Sequence, residues 1–165
     1  PVQVGRRRRS IGAQRALGRT PRSLEAVDTI VVALVDRLAR RLRAARRVCR
    51  TVTLRMRFDD FSRATRSHTL PEATAQTQTI LATARGLLAA ATPMIRRQGL
   101  TLVGVALANL HDDGAIQLAL PFDRHRAGAL DATLDELRDR FGSAAVTRAV
   151  LLGRDQGEPV PLLPD

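Results

Sequence analysis

The residues best equipped for chemistry in this chain are arginines, and they fall in two groups. Arg6-Arg7-Arg8-Arg9 form a run near the start, and Arg55, Arg57, Arg63 and Arg66 recur further on beside Ser10, Thr65 and Ser67. Guanidinium forks, hydroxyls and strand amides suit phosphate oxygens, and such contacts fix position without reading sequence. The first run alone fits a charged tail equally well. Together with the second, on alternating strand positions, it describes a cationic sheet face. Catalytic sets are scarce. His68, His111 and His125 stand in unrelated contexts and Cys49 is the one cysteine, so no zinc site is expected. Neither a Gly-rich phosphate loop nor a nucleophile elbow is present. Asp59-Asp60 are paired carboxylates of a kind that can hold Mg²⁺. With no third carboxylate in sequence reach, they read first as a hairpin turn between Phe58 and Phe61.

Charge distribution gives these arginines a partner class. The chain has 27 basic residues, all arginine, against 16 acids, for a net +11. Residues 1–110 hold 21 arginines and 6 acids, whereas residues 111–165 hold 6 and 10. A basic body with a mildly acidic tail implies a polyanion for the body only. Four Phe with no Tyr or Trp leave no stacking platform for unpaired bases, which favours duplex backbone over single strands. A second feature is Ile116-Gln117-Leu118-Ala119-Leu120-Pro121-Phe122. It reads as an edge strand or packed linker, or as an anchor peptide in which Gln117 hydrogen-bonds while Leu120 and Phe122 fill an apolar pocket. Pro121 would stiffen it and lower the ordering cost. No stretch approaches the roughly 20 apolar residues of a membrane span, and Pro1–Gly5 carries no apolar leader signal. A lone, half-buried thiol fits a reducing compartment.

The elements that must position these groups follow from periodicity. Arg9–Gln14 is a candidate strand. Ser23 is an N-cap for a helix in which Leu24, Val27, Val31, Leu34, Val35, Leu38 and Leu42 share a face. From Thr51 the period becomes two: Val52, Leu54, Met56 and Phe58 point one way, and Thr51, Thr53, Arg55 and Arg57 the other. Arg63–Leu70 is the return strand, and Pro71-Glu72 is expected to open a second helix with Ile80, Ala84, Leu87, Leu88, Ala91 and Ile95 inward. Pro93 is expected to kink or end it, with Gly99 as a stop. Leu100–Leu110 is the central strand. The order predicts an α+β split βαβ fold (βαββαβ), a four-stranded antiparallel or mixed sheet with two helices on one face. Past Asp112-Asp113-Gly114 the body ends. A tail helix over about 129–141 is expected to use Leu130, Leu134, Leu137 and Phe141, and 154–165 reads as a frayed end.

Several segments then resemble a known family. Arg9-Ser10-Ile11-Gly12, Leu54-Arg55-Met56-Arg57-Phe58-Asp59-Asp60-Phe61, Thr65-Arg66-Ser67 and Leu102-Val103-Gly104-Val105 are similar, in order and spacing, to the little-finger domain of Y-family DNA polymerases of the DNA polymerase IV (DinB) type. Gln117–Phe122 is similar to the hexapeptide by which bacterial polymerases bind the sliding clamp. The resemblance covers about residues 6–122, and the all-arginine, Ala-rich composition suggests a high-GC, actinobacterial source. It implies a domain that lies in the DNA major groove and belongs to a translesion nucleotidyltransferase of the bacterial cytoplasm and nucleoid. It implies DNA contact by Arg8, Arg9, Ser10, Arg55, Arg57, Thr65, Arg66 and Ser67, to which the residue reading adds Arg63, and clamp contact by Gln117, Leu118, Leu120, Pro121 and Phe122. The expected layout is a linker at 1–8 from an upstream catalytic region, a DNA-binding domain at 9–112, the clamp peptide at 113–123 and an extension at 124–165. The partners are duplex primer–template and the β clamp, with no membrane, and the fragment would be a monomer without activity. Magnesium would belong to the upstream catalytic part, with no cofactor or metal expected here. Thr101 departs from the family, which often has a basic residue there. A free-standing basic ribosomal or nucleoid protein is the alternative.

Overall fold

The computed structural model describes residues 9–115 and 124–153. The sequence-predicted sites Arg8, Gln117, Leu118, Leu120, Pro121 and Phe122 lie outside them, as do the linker at 1–8 and the segment 154–165. The body runs β1 (Ser10–Ala16), α1 (Leu24–Ala44), β2 (Arg47–Phe58), β3 (Arg63–Thr74), α2 (Thr77–Gln98) and β4 (Leu100–Ala108). A two-residue β5 (His111–Asp112) and a tail helix α3 (Arg124–Phe141) follow.

Local signals explain most of these boundaries. The Ser23 hydroxyl accepts from the Ala26 N–H at 3.1 Å, and Glu25 lies in the first turn of α1 while Arg41 and Arg43 lie in the last. Both ends therefore suit the helix dipole. All strand pairs are antiparallel in the order β1–β4–β2–β3, with β5 pairing the start of β2. That short pairing draws Arg47 and Val48 into β2, which thus begins four residues before the alternation at Thr51. Both α1 and α2 pack on one sheet face. Val31, Val35, Leu38, Ile80 and Ala84 meet Val52, Leu54, Met56, Phe58, Val103, Val105 and Leu107 in one core. Each fully buried large side chain contributes about 1.5–3 kcal/mol. Cys49 is fully buried in this core, and burial pushes its thiol up to about 12, which makes it an inert packing group.

Two expectations about α2 fail. Pro71-Glu72 does not open a helix; β3 stays extended to Thr74, and α2 begins at Thr77. Because β3 is an edge strand, a residue without an N–H is tolerated on its free side. Thr69 lies opposite Thr51 but Thr74 lies opposite Cys49, so the chain bulges across 70–73. There the Arg50 Nε donates to the Leu70 carbonyl at 3.0 Å. Pro93 does not end α2 either. It sits exposed inside the helix, where the burial of Ala91 and Ile95 outweighs the missing backbone bond. Gly99, at φ 66°, ends it, and a Cβ there would collide with the Asp59 carboxylate.

The tail helix keeps only part of its expected face: Leu134 and Leu137 are half-buried, but the ends of the stripe are not. Leu130 and Phe141 are 60% and 64% exposed, whereas Asp131 and Arg138 are each 6% exposed. Acids are what this helix presents to the body, because the surface of α1 opposite it is arginine. Arg43 is the hub. It grips Asp135 through Nε at 2.6 Å and Nη2 at 3.0 Å, and its Nη1 donates to the Ala75 carbonyl and the Thr77 hydroxyl, both at 2.9 Å. Arg40 pairs with Asp139 at 2.7 Å, while Arg138 and Arg148 both pair with Asp36. Asp131 does more than neutralise Arg43. Gln76, the N-cap of α2, makes no side-chain cap bond, and the Thr77 N–H donates to Asp131 Oδ2 at 2.8 Å. One helix is thus capped by a residue 54 positions away.

Asp131→Ala removes that cap and one partner of Arg43, and should cost about 1–3 kcal/mol in urea unfolding. A loss below about 0.5 kcal/mol, the size of an ordinary surface change, would mean that α3 is not seated on α2 in solution.

Candidate nucleic-acid interface

The strand registers define the face that the helices leave bare. Four residues line up across it in each of four rows: Ser10, Ala108, Thr51 and Thr69; Gly12, Ala106, Thr53 and Ser67; Gln14, Gly104, Arg55 and Thr65; Ala16, Leu102, Arg57 and Arg63. Period-two geometry makes each row a line of side chains on one side of the sheet. Apart from Gln14 and Leu102, the β1–β4 half is a low floor of small residues. Its flatness is enforced at Gly104, where a Cβ would stand 2.9 Å from the Gln14 Cβ and 3.2 Å from the Ala13 carbonyl oxygen. The β2–β3 half begins as a hydroxyl ladder, with Thr51 and Thr69 3.3 Å apart and Thr53 and Ser67 2.9 Å apart. Asn109 donates to the Thr51 hydroxyl at 2.8 Å. The ladder ends in Arg55, Arg57 and Arg63.

Thr101 explains how Arg57 is held. Leu100 pairs with Phe58 and Leu102 with Arg57, which leaves Thr101 as the extra residue of a bulge. Its hydroxyl lies 3.1 Å and 3.2 Å from the carbonyl oxygens of Arg57 and Phe58, and accepts from Arg57 Nε at 3.3 Å. At 8% exposure it is a strand fastener rather than a surface contact.

The sequence-predicted residues are only partly brought together. Arg55, Arg57, Arg63, Thr65 and Ser67 share the β2–β3 half of the bare face, over three of its four rows. Ser10, with Arg9 just before it, lies at the opposite corner, about 20 Å along the strands and about 14 Å across them. Arg66 is not on this face. It pairs with Leu54, a core residue, so it projects to the helix side at the sheet edge. His68, opposite Val52, does the same.

Sequence reasoning missed Phe61. It sits in the β2–β3 turn beside Arg57 and Arg63, 66% exposed with φ 65°, and the Arg19 guanidinium lies 5.6 Å from its ring centre. Such a φ is rare for a bulky residue. Asp60 locks the turn by accepting from Ser62 N–H at 2.9 Å and Ser62 Oγ at 2.5 Å, and these bonds hold its carboxyl below the usual carboxylate range. The pair Asp59-Asp60 does not fit a divalent ion, since Asp60 is committed to the turn and Asp59 lies against Gly99. Among the described residues no three His, Cys, Asp or Glu cluster as metal ligands. Nor is any helix among them long and apolar enough to cross a membrane.

Charges sort by face. The acids of α3 lie on the helix side against Arg40 and Arg43. No carboxylate of the described residues pairs with Arg55, Arg57 or Arg63. The described residues thus leave a cationic corner without a carboxylate partner on the bare face of a split βαβ sheet.

Residues 8–120 match the impB/mucB/samB family C-terminal domain, and the chain belongs to that family. This is the C-terminal, little-finger domain of Y-family polymerases that the sequence resembles. The chain is 35% identical over 161 residues to DNA polymerase IV 2 of Mesorhizobium japonicum, covering 88% of this chain and 38% of that protein. It is also 35% identical over 144 residues to DNA polymerase IV of Moorella thermoacetica, covering 87% and 36%. It thus spans under two-fifths of the length of these relatives. Among solved structures, the post-insertion binary complex of Dbh DNA polymerase aligns with a TM-score of 0.55 at 13% identity, over 62% of this chain and 29% of that one. That likeness is one of fold.

Gly104→Val should push β1 from β4 and destabilise the protein by about 1–3 kcal/mol. Gly86→Val, at an exposed helical position with nothing near its Cβ, should be neutral or slightly stabilising, since glycine is the poorer helix former. Equal losses in thermal unfolding would contradict the close approach at Gly104.

Proposed function

We propose that this chain is the DNA-holding and clamp-recruiting part of an error-prone, translesion DNA polymerase. The observation that carries the reading is the placement of charge: among the described residues the sheet-face arginines have no carboxylate partner, while the acids of α3 lie on the helix side. Arg55, Arg57 and Arg63, with Thr65 and Ser67, hold one phosphate backbone. Arg9 and Ser10 at the far corner, together with Arg8, hold the other, and the low floor lets the duplex approach between the two corners. Two separated corners suit the backbones flanking a groove better than one linear strand. Arg66 reaches phosphate only from the sheet edge.

Residues 1–8 serve as the linker to an upstream catalytic region, which carries out nucleotidyl transfer with magnesium. The carboxylates of this chain take no part in that step, and the fragment alone is inactive. Gln117, Leu118, Leu120, Pro121 and Phe122, in the segment 113–123, bind the β clamp. Residues 124–165 are an extension, of which the described part, 124–153, folds back on the body. The chain acts as a monomer on the chromosome in the cytoplasm of a bacterium, and its arginine-for-lysine usage fits a high-GC, actinobacterial source.

Affinity for primer–template duplex should fall steeply with salt. Arg55→Ala with Arg57→Ala should flatten the slope of log K against log salt by about 2, since each lost phosphate contact removes about 0.9. Arg66→Ala should change it less. An unchanged slope in the double variant, read by fluorescence anisotropy, would remove the face from the interface. Independently, Gln117→Ala with Leu120→Ala should abolish capture by immobilised β clamp and leave duplex affinity intact. Persisting capture would place the docking peptide elsewhere.

A further inference from the structure

Where the tail folds back, it forms a half-open cavity of about 370 Å³ against α1. Asp36, Arg37 and Arg40 line it from α1, Arg138 from α3, and Ser143 and Thr147 from the segment after it. Ala33 and Leu151 provide apolar contacts. Neither wall makes this space alone.

The donor and acceptor inventory is lopsided. Each guanidinium offers about five N–H donors and accepts nothing. Arg40 uses Nη2 on Asp139; Arg138 uses Nη2 on Asp36 and Nε on the Val146 carbonyl. Arg37 is half-buried in the wall and makes no hydrogen bond or ion pair among the described residues. The one lining carboxylate, Asp36, is already shared by Arg138 at 2.9 Å and Arg148 at 3.2 Å. Three guanidinia and two hydroxyls thus converge on a space whose only anionic wall is engaged. Guanidinium binds phosphate oxygens through paired N–H donors, and a partly enclosed site raises the worth of each charge-assisted bond. The volume lies in the lower range of small-molecule sites.

We propose that this cavity is an oxyanion site that takes a phosphate-bearing ligand, held by Arg37, Arg40 and Arg138 with Ser143 and Thr147. Two sources share that chemistry: a free phosphorylated metabolite and a nucleic-acid phosphate. The site is separate from the bare sheet face. Because its walls come from both the body and the tail, an occupant ties the two together.

The test is a backbone-amide NMR titration of the whole 165-residue chain with pyrophosphate at about 0.15 M salt, where long-range attraction between exposed charges is largely screened. Saturable shifts are expected at Arg37, Ser143, Ala144 and Thr147, with binding weakened about tenfold or more, about 1.4 kcal/mol, by Arg37→Gln. That variant removes no observed contact, so its spectrum should otherwise match the parent. Thr147→Val provides a second, uncharged perturbation with the same expected direction. A parallel titration uses a short DNA duplex on the Arg55→Ala, Arg57→Ala, Arg63→Ala variant. Pocket shifts with both probes support a nucleic-acid phosphate, and shifts with pyrophosphate alone support a metabolite. Shifts spread over surface arginines without Ser143 and Thr147, or an affinity indifferent to Arg37→Gln, would overturn the site.

Discussion

In β2, hydrogen bonding to β4 on one side and β3 on the other sets a register that every other feature inherits. Val52, Leu54, Met56 and Phe58 point into the helices, so Thr51, Thr53, Arg55 and Arg57 must point away. A one-residue slip would exchange these sets, exposing four large apolar side chains at about 2 kcal/mol each. That penalty holds the arginines on the outside. The same register brings Gly104 beside Arg55, and leaves Thr101 as the bulged residue that fixes Arg57. Core packing and surface chemistry are thus two readings of one pairing pattern.

What was legible in the sequence was local. Ser23 and the apolar spacing after it mark α1 from its first residue, and the alternation in β2 identifies its two faces. Parity alone separates Arg66 from the cationic face, since it stands an odd number of residues from Arg63; composition hid what strand counting reveals. Pro71 misled because Pro-Glu is a good local helix start, whereas its freedom to remain extended comes from lying on an edge. Phe61 was obscure for a similar reason. An aromatic between two sheet strands reads as core, yet the turn it occupies turns it outward at a positive φ.

The tail misled through a sound rule applied without its partner. Leu130, Leu134, Leu137 and Phe141 have the spacing of a buried stripe, but a helix buries what its neighbour matches. The neighbour here is the arginine side of α1, and Asp131, Asp135 and Asp139 meet it at four-residue spacing. Arg43 would otherwise be a half-buried cation facing the open end of α2. With Asp135 in a two-pronged grip, and Ala75 and Thr77 within reach, it becomes the centre of a satisfied network.

The cap on α2 also carries a consequence for the order in which the chain is made. Asp131 follows Thr77 by 54 residues, and a ribosome adds about 5–20 residues each second. β4 ends at Ala108, so the sheet, both body helices and their core can be complete about 1–5 s before Asp131 is added, with the first turn of α2 still holding an open amide. Only when α3 emerges does the carboxylate arrive, and with it the counter-charge that Arg43 needs. The body of this protein is finished by a helix made after it.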